Sequence, residues 1–443
     1  MTISKFTGYN ECISYLFGLE RAGIKYNLRN IRLLLKHIGN PERNFKSVHI
    51  AGTNGKGSVS SILNSVLTER GFSTGLYTSP HILHFRERIL VKGKFISKKF
   101  IIDFVNRIYK ETERIRPSFF EVTTAMAFDY FSFRKVDYAV VETGLGGRLD
   151  ATNVLVPLLS VITSISIDHT DFLGKSIRKI SEEKAGIIKE SIPVISGNVP
   201  EVSEKIFKKV SKLKKSELTF STSKYKVKIT KHGENNFFFN VRGKYRKYDN
   251  FIFPFNGDYQ RYNIKTAIAA IDIFEKSEKV SFQKKHIYDG FKNIRKNSNF
   301  YGRFELISKN PKVIIDISHN LQGIENIGDN LKHIAYENLI IIFGMMNDKQ
   351  YRESIRELFS LKTKKIIFTK PEYKRSAEPE DLLNSVKHAD SGFEIKSNVK
   401  EAYEYAKSEA GKKDLILITG SFFLVSDFLK IRSVKYSKKK LRK

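Results

Sequence analysis

The sequence predicts an α/β protein in two domains: a mostly parallel sheet with an added antiparallel ribbon, then a smaller Rossmann-like α/β unit. Three observations lead there. A β-prone run, Ser47 to Ile50, passes through a glycine loop into a segment of helical periodicity ending at Gly71. Short apolar runs at 74–77, 138–141 and 160–167 each end in a polar loop and alternate with helical patterns, as parallel β-α-β units do. Between 223 and 255 the pattern changes to alternation, and past a polar, turn-forming stretch at 297–303 the α/β pattern resumes.

At 443 residues the chain exceeds what one core usually serves, so domains at 1–297 and 298–443 are expected. A hydrophobic fraction of 41% is enough for both cores. The net charge of +31 comes from 78 Lys+Arg against 47 Asp+Glu. These lysines are dispersed over predicted surface turns, with one cluster at Lys438-Lys439-Lys440-Leu441-Arg442-Lys443, and the usual nucleic-acid-binding signatures are absent. There is no run of uncharged apolar residues long enough to span a bilayer, and Met1 to Glu20 lacks a basic-then-apolar signal pattern. A cytoplasmic monomer without nucleic-acid or membrane partners is therefore expected. The single Cys12 excludes an internal disulfide and a cysteine-rich zinc site.

The glycine loop reads Ala51-Gly52-Thr53-Asn54-Gly55-Lys56-Gly57-Ser58, and behind it Val59, Ile62, Leu63, Val66 and Leu67 fall on one helical face. Backbone N–H groups turned inward by glycines, a helix N-terminus and a lysine together make a phosphate cradle. The first domain is thus P-loop ATPase-like, although the strict motif has Ser or Thr directly after the lysine and here Gly57 intervenes.

Before the cradle, an amphipathic helix is expected over Asn30 to Ile38. After it, the strand Thr74 to Tyr77 ends in Thr78-Ser79-Pro80-His81, which parallel pairing brings to the cradle's edge of the sheet, so Ser79 and His81 face the phosphates. A helix runs from Lys98 to about Ile115, and Phe119-Phe120 opens another; the aromatic pair suits a core or a ligand pocket. The strand Tyr138 to Val141 delivers Glu142 to the same edge, as a magnesium ligand or a solvated strand-end carboxylate. The run Ser160 to Ile167 ends in Asp168-His169-Thr170-Asp171, where His169 is a ligand or structural. On the helix near 177–189, Lys184 reads ordinarily as a surface salt-bridge partner. The ribbon, turning at His232-Gly233-Glu234-Asn235, is expected as an extension of the parallel sheet, followed by a helix carrying Asn263. In the second domain, strands at 313–315, 339–343, 365–368 and 415–419 end in polar loops that include Asp316, His319 and Ser421.

With these loops in place, the chain resembles the folylpolyglutamate synthase and dihydrofolate synthase family, a branch of the Mur-ligase-like ATP-dependent amide ligases. The resemblance rests on Ala51 to Ser58, Thr78 to His81 with Glu87-Arg88-Ile89, Glu142 to Asn153, Asp168-His169-Thr170 with Glu183-Lys184-Ala185-Gly186, Gly302-Arg303-Phe304-Glu305, and Asp316 with His319-Asn320. The run Gly144 to Asn153 points to the folate branch.

The resemblance implies that Gly52, Thr53, Asn54, Gly55, Lys56, Gly57 and Ser58 hold ATP phosphates, with further ATP contacts from Asn263, Arg303 and Asp316. It implies that Ser79, Glu142 and His169 ligate magnesium, and that Lys184 is carbamylated and supports a second magnesium ion. Lys56, His169, Lys184 and Arg303 would then be the catalytic set. Phe120, Glu121, Val122, Thr123, Leu149, Asp150 and Ala151 match the pteridine-side pocket, and His319 and Ser421 the glutamate site. Ile317-Ser318 and Tyr301 depart from the family pattern of Gly-Ala and proline.

The expected reaction adds L-glutamate to dihydropteroate, to reduced folates, or to both. ATP phosphorylates the substrate carboxylate, and glutamate attacks the acyl phosphate, releasing ADP and phosphate. Competing expectations are a Mur-type ligase for a cell-wall precursor and a basic nucleotide-switch or nucleic-acid-binding ATPase.

Overall fold

The computed structural model describes residues 5–22, 27–243, 246–349, 351–385 and 392–440; Leu441, Arg442 and Lys443 of the basic tail cluster lie outside them. A sheet of eight strands carries the N-terminal part: β1 (Lys46–Ala51), β2 (Thr74–Tyr77), β3 (Ile89–Val91), β4 (Lys94–Phe95), β5 (Tyr138–Glu142), β6 (Leu159–Ser164), β7 (Val194–Asn198) and β8 (Leu218–Phe220). Their order is β4-β3-β2-β5-β1-β6-β7-β8, antiparallel at β4-β3-β2 and parallel across the rest. Its central strands are buried and rich in Val and Ile, because helices cover both faces of a parallel sheet. The registers Ile50↔Glu142, Ala51↔Ile162 and Tyr77↔Val141 align the carboxyl ends of β1, β2, β5 and β6. The four loops that leave them therefore share one edge.

The expected ribbon is β9 (Tyr225–His232) and β10 (Phe237–Gly243), joined by a third strand, β11 (Lys247–Phe253). The three form a sheet of their own and do not extend the large one. Phe237, Phe239, Val241, Phe251 and Phe253 are fully buried, which explains the apolar alternation along β10 and the end of β11.

A third sheet contains β12 (Glu305–Lys309), β13 (Lys312–Ile315), β14 (Leu339–Phe343), β15 (Lys365–Thr369), β16 (Phe393–Lys396) and β17 (Leu415–Thr419), in the order β12-β13-β17-β14-β15-β16. Only β12 runs antiparallel. The chain divides into two compact units, Met1–Lys228 with Asn240–Phe251 and Arg261–Phe300, and Ile229–Phe239 with Ile252–Gln260 and Tyr301–Lys443. Among the described residues, no helix is long and apolar enough to cross a membrane.

Candidate active site

The cradle connects β1 to the helix Lys56–Glu69. Gly55, with φ +84°, caps that helix, and Gly52 has φ +151°. A Cβ at Gly52 would stand 1.9 Å from Thr163 Oγ1. The loop is pinned to the end of β6: Thr53 N–H donates to the Ser164 carbonyl at 2.8 Å, and the hydroxyls of Thr163 and Ser164 both donate to the Asn54 carbonyl, at 2.7 and 2.9 Å. Lys56 Nζ donates to the carbonyls of Gly52 and Thr53 at 3.1 Å each, so it folds back over the loop it follows. A Cβ at Gly55 would lie 2.3 Å from Asn263 Oδ1, which places Asn263 against the cradle. Gly52→Ala is expected to abolish binding of a fluorescent ATP analogue, because the methyl group clashes with the strand end and alanine disfavours the loop's backbone angle.

Lys184 lies under this loop. It is 4% exposed, and its Nζ donates to the Gly52 carbonyl at 2.9 Å, so it is no surface salt-bridge partner. Burial, reinforced by the nearby Lys56 charge, pulls its pKa down to about 7. Its neighbour Glu183 pairs with Arg148 at 2.7 Å, and the Glu183 carbonyl accepts the Arg148 N–H at 2.8 Å. Gly147 meets the same turn: a Cβ there would stand 2.8 and 3.0 Å from the carbonyl oxygens of Glu183 and Lys184. The glycine run thus lets the loop after β5 press on the helix Ile177–Ala185 and hold Lys184 inward.

Glu142 ends β5 with 4% exposure and accepts the Ser79 N–H at 3.4 Å. The Ser79 hydroxyl and the Glu142 carboxylate are hard oxygen donors beside a phosphate cradle, a set that fits magnesium; His169 adds an imidazole. His169 has φ +52° at the start of the helix Thr170–Leu173, a third of its side chain is exposed, and its Nε2 lies 3.9 Å from Asp168 Oδ2. The Glu87-Arg88 motif now has a physical account. Glu87 accepts the N–H groups of Ile82, Leu83 and His84, fixing the loop after β2, while buried Arg88 donates to His81 Nδ1 at 2.8 Å and covers the Phe119 ring. Sequence reasoning gave Arg88 no role.

Of the pteridine-side candidates, Phe120 stacks over Gly144, where a Cβ would meet its ring at 2.5 Å, and it lies 5.9 Å from the Tyr77 ring. Leu149 is half-buried and Ala151 buried. Val122 is enclosed in the apolar core, and Thr123 donates to the Phe120 carbonyl at 3.1 Å. Glu121 accepts the Ser118 N–H at 2.7 Å as the capping box of the helix Phe119–Phe133. Asp150 accepts the Leu145 N–H at 2.8 Å and the Thr152 N–H at 3.0 Å, so it shapes the loop 144–153 from within. Beneath that loop, fully buried His49 sits 2.7 Å from Thr152 Oγ1, and burial followed by the Lys189 charge lowers its pKa to about 3. This histidine, read only as part of a strand, braces the site as a neutral ring.

In the second unit, β13 and β17 are parallel neighbours; the loop after β13 carries Asp316 and His319, the loop after β17 carries Ser421, and Arg303 lies just before β12, the antiparallel partner of β13. Asp316 is buried and accepts the N–H groups of Phe304 at 2.7 Å and Ser318 at 2.8 Å, holding the turn that presents Arg303. Desolvation raises its pKa, with Arg303 opposing. The Arg303 guanidinium and the His319 ring both lie against Phe422, at 5.4 and 5.3 Å. Ser421 Oγ accepts the Leu424 N–H at 3.1 Å, the first turn of the helix Phe422–Lys440.

A P-loop cradle with a buried carboxylate and lysine at one sheet edge, together with a second α/β unit that carries Arg303, Asp316 and His319 near its strand ends, suits an ATP-dependent ligase of the Mur type. Sequence profiles agree: the Mur ligase middle domain matches residues 50–271 and the Mur ligase, glutamate ligase domain matches residues 302–422. The dihydrofolate synthase/folylpolyglutamate synthase of Bacillus subtilis is 32% identical over 436 residues, covering 96% of this chain and 99% of that protein. The folylpolyglutamate synthase of Lacticaseibacillus casei is 31% identical, covering 94% of this chain and 97% of that one. Among solved structures, Mycobacterium tuberculosis folylpolyglutamate synthase complexed with ADP and AMPPCP matches with a TM-score of 0.88 at 27% identity, covering 96% of this chain and 99% of that chain. Escherichia coli FolC in complex with DHPP and ADP matches with a TM-score of 0.85, also at 27% identity, covering 96% and 98%. The chain belongs to the folylpolyglutamate synthase/dihydrofolate synthase family.

Proposed function

We propose that this ligase adds L-glutamate to dihydropteroate, to reduced folates, or to both, through an acyl phosphate. The observation that carries the reading is the buried Lys184 amine under the Gly52 carbonyl, one loop away from buried Glu142, in a chain aligned over nearly its whole length with such synthases. A carboxylate is a poor electrophile, and transfer of the γ-phosphoryl group supplies the leaving group that amide formation needs.

In this reading the cradle Gly52 to Ser58 orients the triphosphate, and Asn263, Arg303 and Asp316 complete the ATP contacts. Lys56 and Arg303 offset negative charge as the substrate carboxylate attacks the γ-phosphorus. Two magnesium ions, when bound, neutralise phosphate charge; Ser79, Glu142 and His169 would hold one of them. The Lys184 nitrogen, uncharged above about pH 7, attacks carbon dioxide, forming an N–C bond and releasing a proton, and the resulting carbamate would serve the other. Phe120, Leu149 and Ala151 line the pteridine side, and His319 with Ser421 receives the incoming glutamate. The proposed setting is the cytoplasm, as a monomer, with small molecules as the only partners.

The test offers the purified full chain dihydropteroate and tetrahydrofolate separately, with ATP, magnesium and L-glutamate. Glutamate-dependent ADP release with at least one of them is expected. ADP release that ignores glutamate would favour a nucleotide-switch ATPase, and turnover only with a nucleotide-sugar peptide would favour a cell-wall ligase.

A further inference from the structure

Among the described residues, one group of three metal-ligating side chains gathers within 4.8 Å, and none of its members belongs to the ligase site: His232, Asp258 and His333. All three lie in the second compact unit. His232 ends β9 at the turn closed by Gly233 N–H to the Asn236 carbonyl at 2.8 Å. Asp258 precedes the helix Gln260–Glu278, and its N–H donates to Asn330 Oδ1 at 2.9 Å. His333 follows the helix Leu321–Leu331, its N–H bonded to the Asn330 carbonyl at 3.2 Å. Asn330 thereby fixes both flanks, and three segments distant in sequence converge.

The two imidazoles stack at 4.0 Å with planes 10° apart. Each aims Nε2 at a different oxygen of Asp258, His232 at 3.5 Å and His333 at 3.4 Å. Asp258 Oδ1 is buried and accepts no hydrogen bond. A tetrahedral zinc ion with bonds of about 2.0–2.1 Å keeps its ligand atoms about 3.3 Å apart. The two nitrogen–oxygen separations are near that value, and because stacked rings cannot both point Nε2 at one ion, binding turns one imidazole out of the stack, for which the partly exposed His333 is placed. A set in which two of three ligands are imidazoles favours zinc and its borderline neighbours over magnesium or calcium, which prefer mostly oxygen ligands. We propose that His232, Asp258 and His333 form a binding site for one zinc-class divalent cation, with the fourth position left to water, that clamps the β9–β10 turn and the segment before Gln260 to the end of the helix Leu321–Leu331. The clamp does not rest on the substrate assigned above.

The test uses the full chain, stripped with a chelator and returned to excess magnesium so that hard-cation sites are filled. Zinc is titrated by calorimetry, and cobalt(II) by its visible absorption. The wild type is expected to bind one more equivalent than His333→Ala, with affinity at that site lowered at least about 100-fold in the variant. Saturating zinc is expected to raise the melting temperature of the wild type and not of His333→Ala or Asp258→Asn. His333 is partly exposed, so its truncation leaves the fold in place; His232→Gln, which keeps the side-chain size, gives an independent variant. Equal stoichiometry and affinity in the wild type and all three variants, or cobalt spectra of a purely oxygen-ligated octahedral ion, would overturn the proposal.

Discussion

Glu142→Gln is expected to remove turnover and to leave the protein folded. The carboxylate ends a buried parallel strand at the cradle edge, and its one neutral replacement keeps shape, volume and an acceptor for the Ser79 N–H. What the change deletes is a negative charge placed beside triphosphate. Charge of that kind at a phosphoryl-transfer site is worth several kcal/mol in the transition state, so the rate of ADP release should fall by about 1,000-fold or more. The melting temperature should move by no more than about 3 °C, since an isosteric change at one buried position costs on the order of 1 kcal/mol in a chain of this size. Undiminished activity at ordinary magnesium would remove Glu142 from the metal site.

The second large effect concerns Lys184. Lys184→Ala should be inactive, and short carboxylic acids should restore part of the rate by occupying the space of the carbamate. A stability signature separates this role from simple packing. Burial lowers the amine's pKa from 10.5 to about 7, so between those values the unfolded chain holds a proton that the folded chain lacks. The contribution of this group to stability is therefore lowest below pH 7 and rises as the pH climbs from 7 to 10.5. In buffer freed of carbon dioxide, Lys184→Met, which conserves volume, should melt no lower than the wild type at pH 7 and lose that relative advantage by pH 10. Full activity of Lys184→Ala without added acid would end the carbamate reading. An unchanged difference in melting temperature across that pH range would end the buried-amine reading.

The parts of this protein that were legible in its sequence are those decided by near neighbours. The cradle announces itself because glycines, a lysine and a capped helix must be adjacent to work, and the strand Thr74–Tyr77 and the helix Lys98–Ile115 have the bounds that their apolar spacing implies. Parallel pairing then places Ser79 and Glu142 at one edge with no further information. What stayed hidden depends on distant packing. Lys184 sits among glutamates on an amphipathic helix and reads as solvated; only the close approach of Gly147 to the carbonyls of residues 183 and 184 turns it inward. The hairpin β3-β4 is too short for periodicity, although Lys92 and Gly93, at φ +48° and +71°, carry the left-handed pair that such turns need. The strand β11 and the separate sheet it completes follow from aromatic packing across three strands. His49 under Thr152, and the meeting of His232, Asp258 and His333, join positions that no local pattern relates.

The acyl phosphate is the centre of the account, and oxygen transfer tests it most directly. Dihydropteroate or tetrahydrofolate labelled with 18O in the reacting carboxylate is turned over with ATP and L-glutamate, and the released phosphate is analysed by mass spectrometry. Attack by the carboxylate on the γ-phosphorus followed by C–O cleavage predicts one 18O atom in each phosphate, with ADP as the partner product. Unlabelled phosphate, or AMP and pyrophosphate in place of ADP, would contradict it.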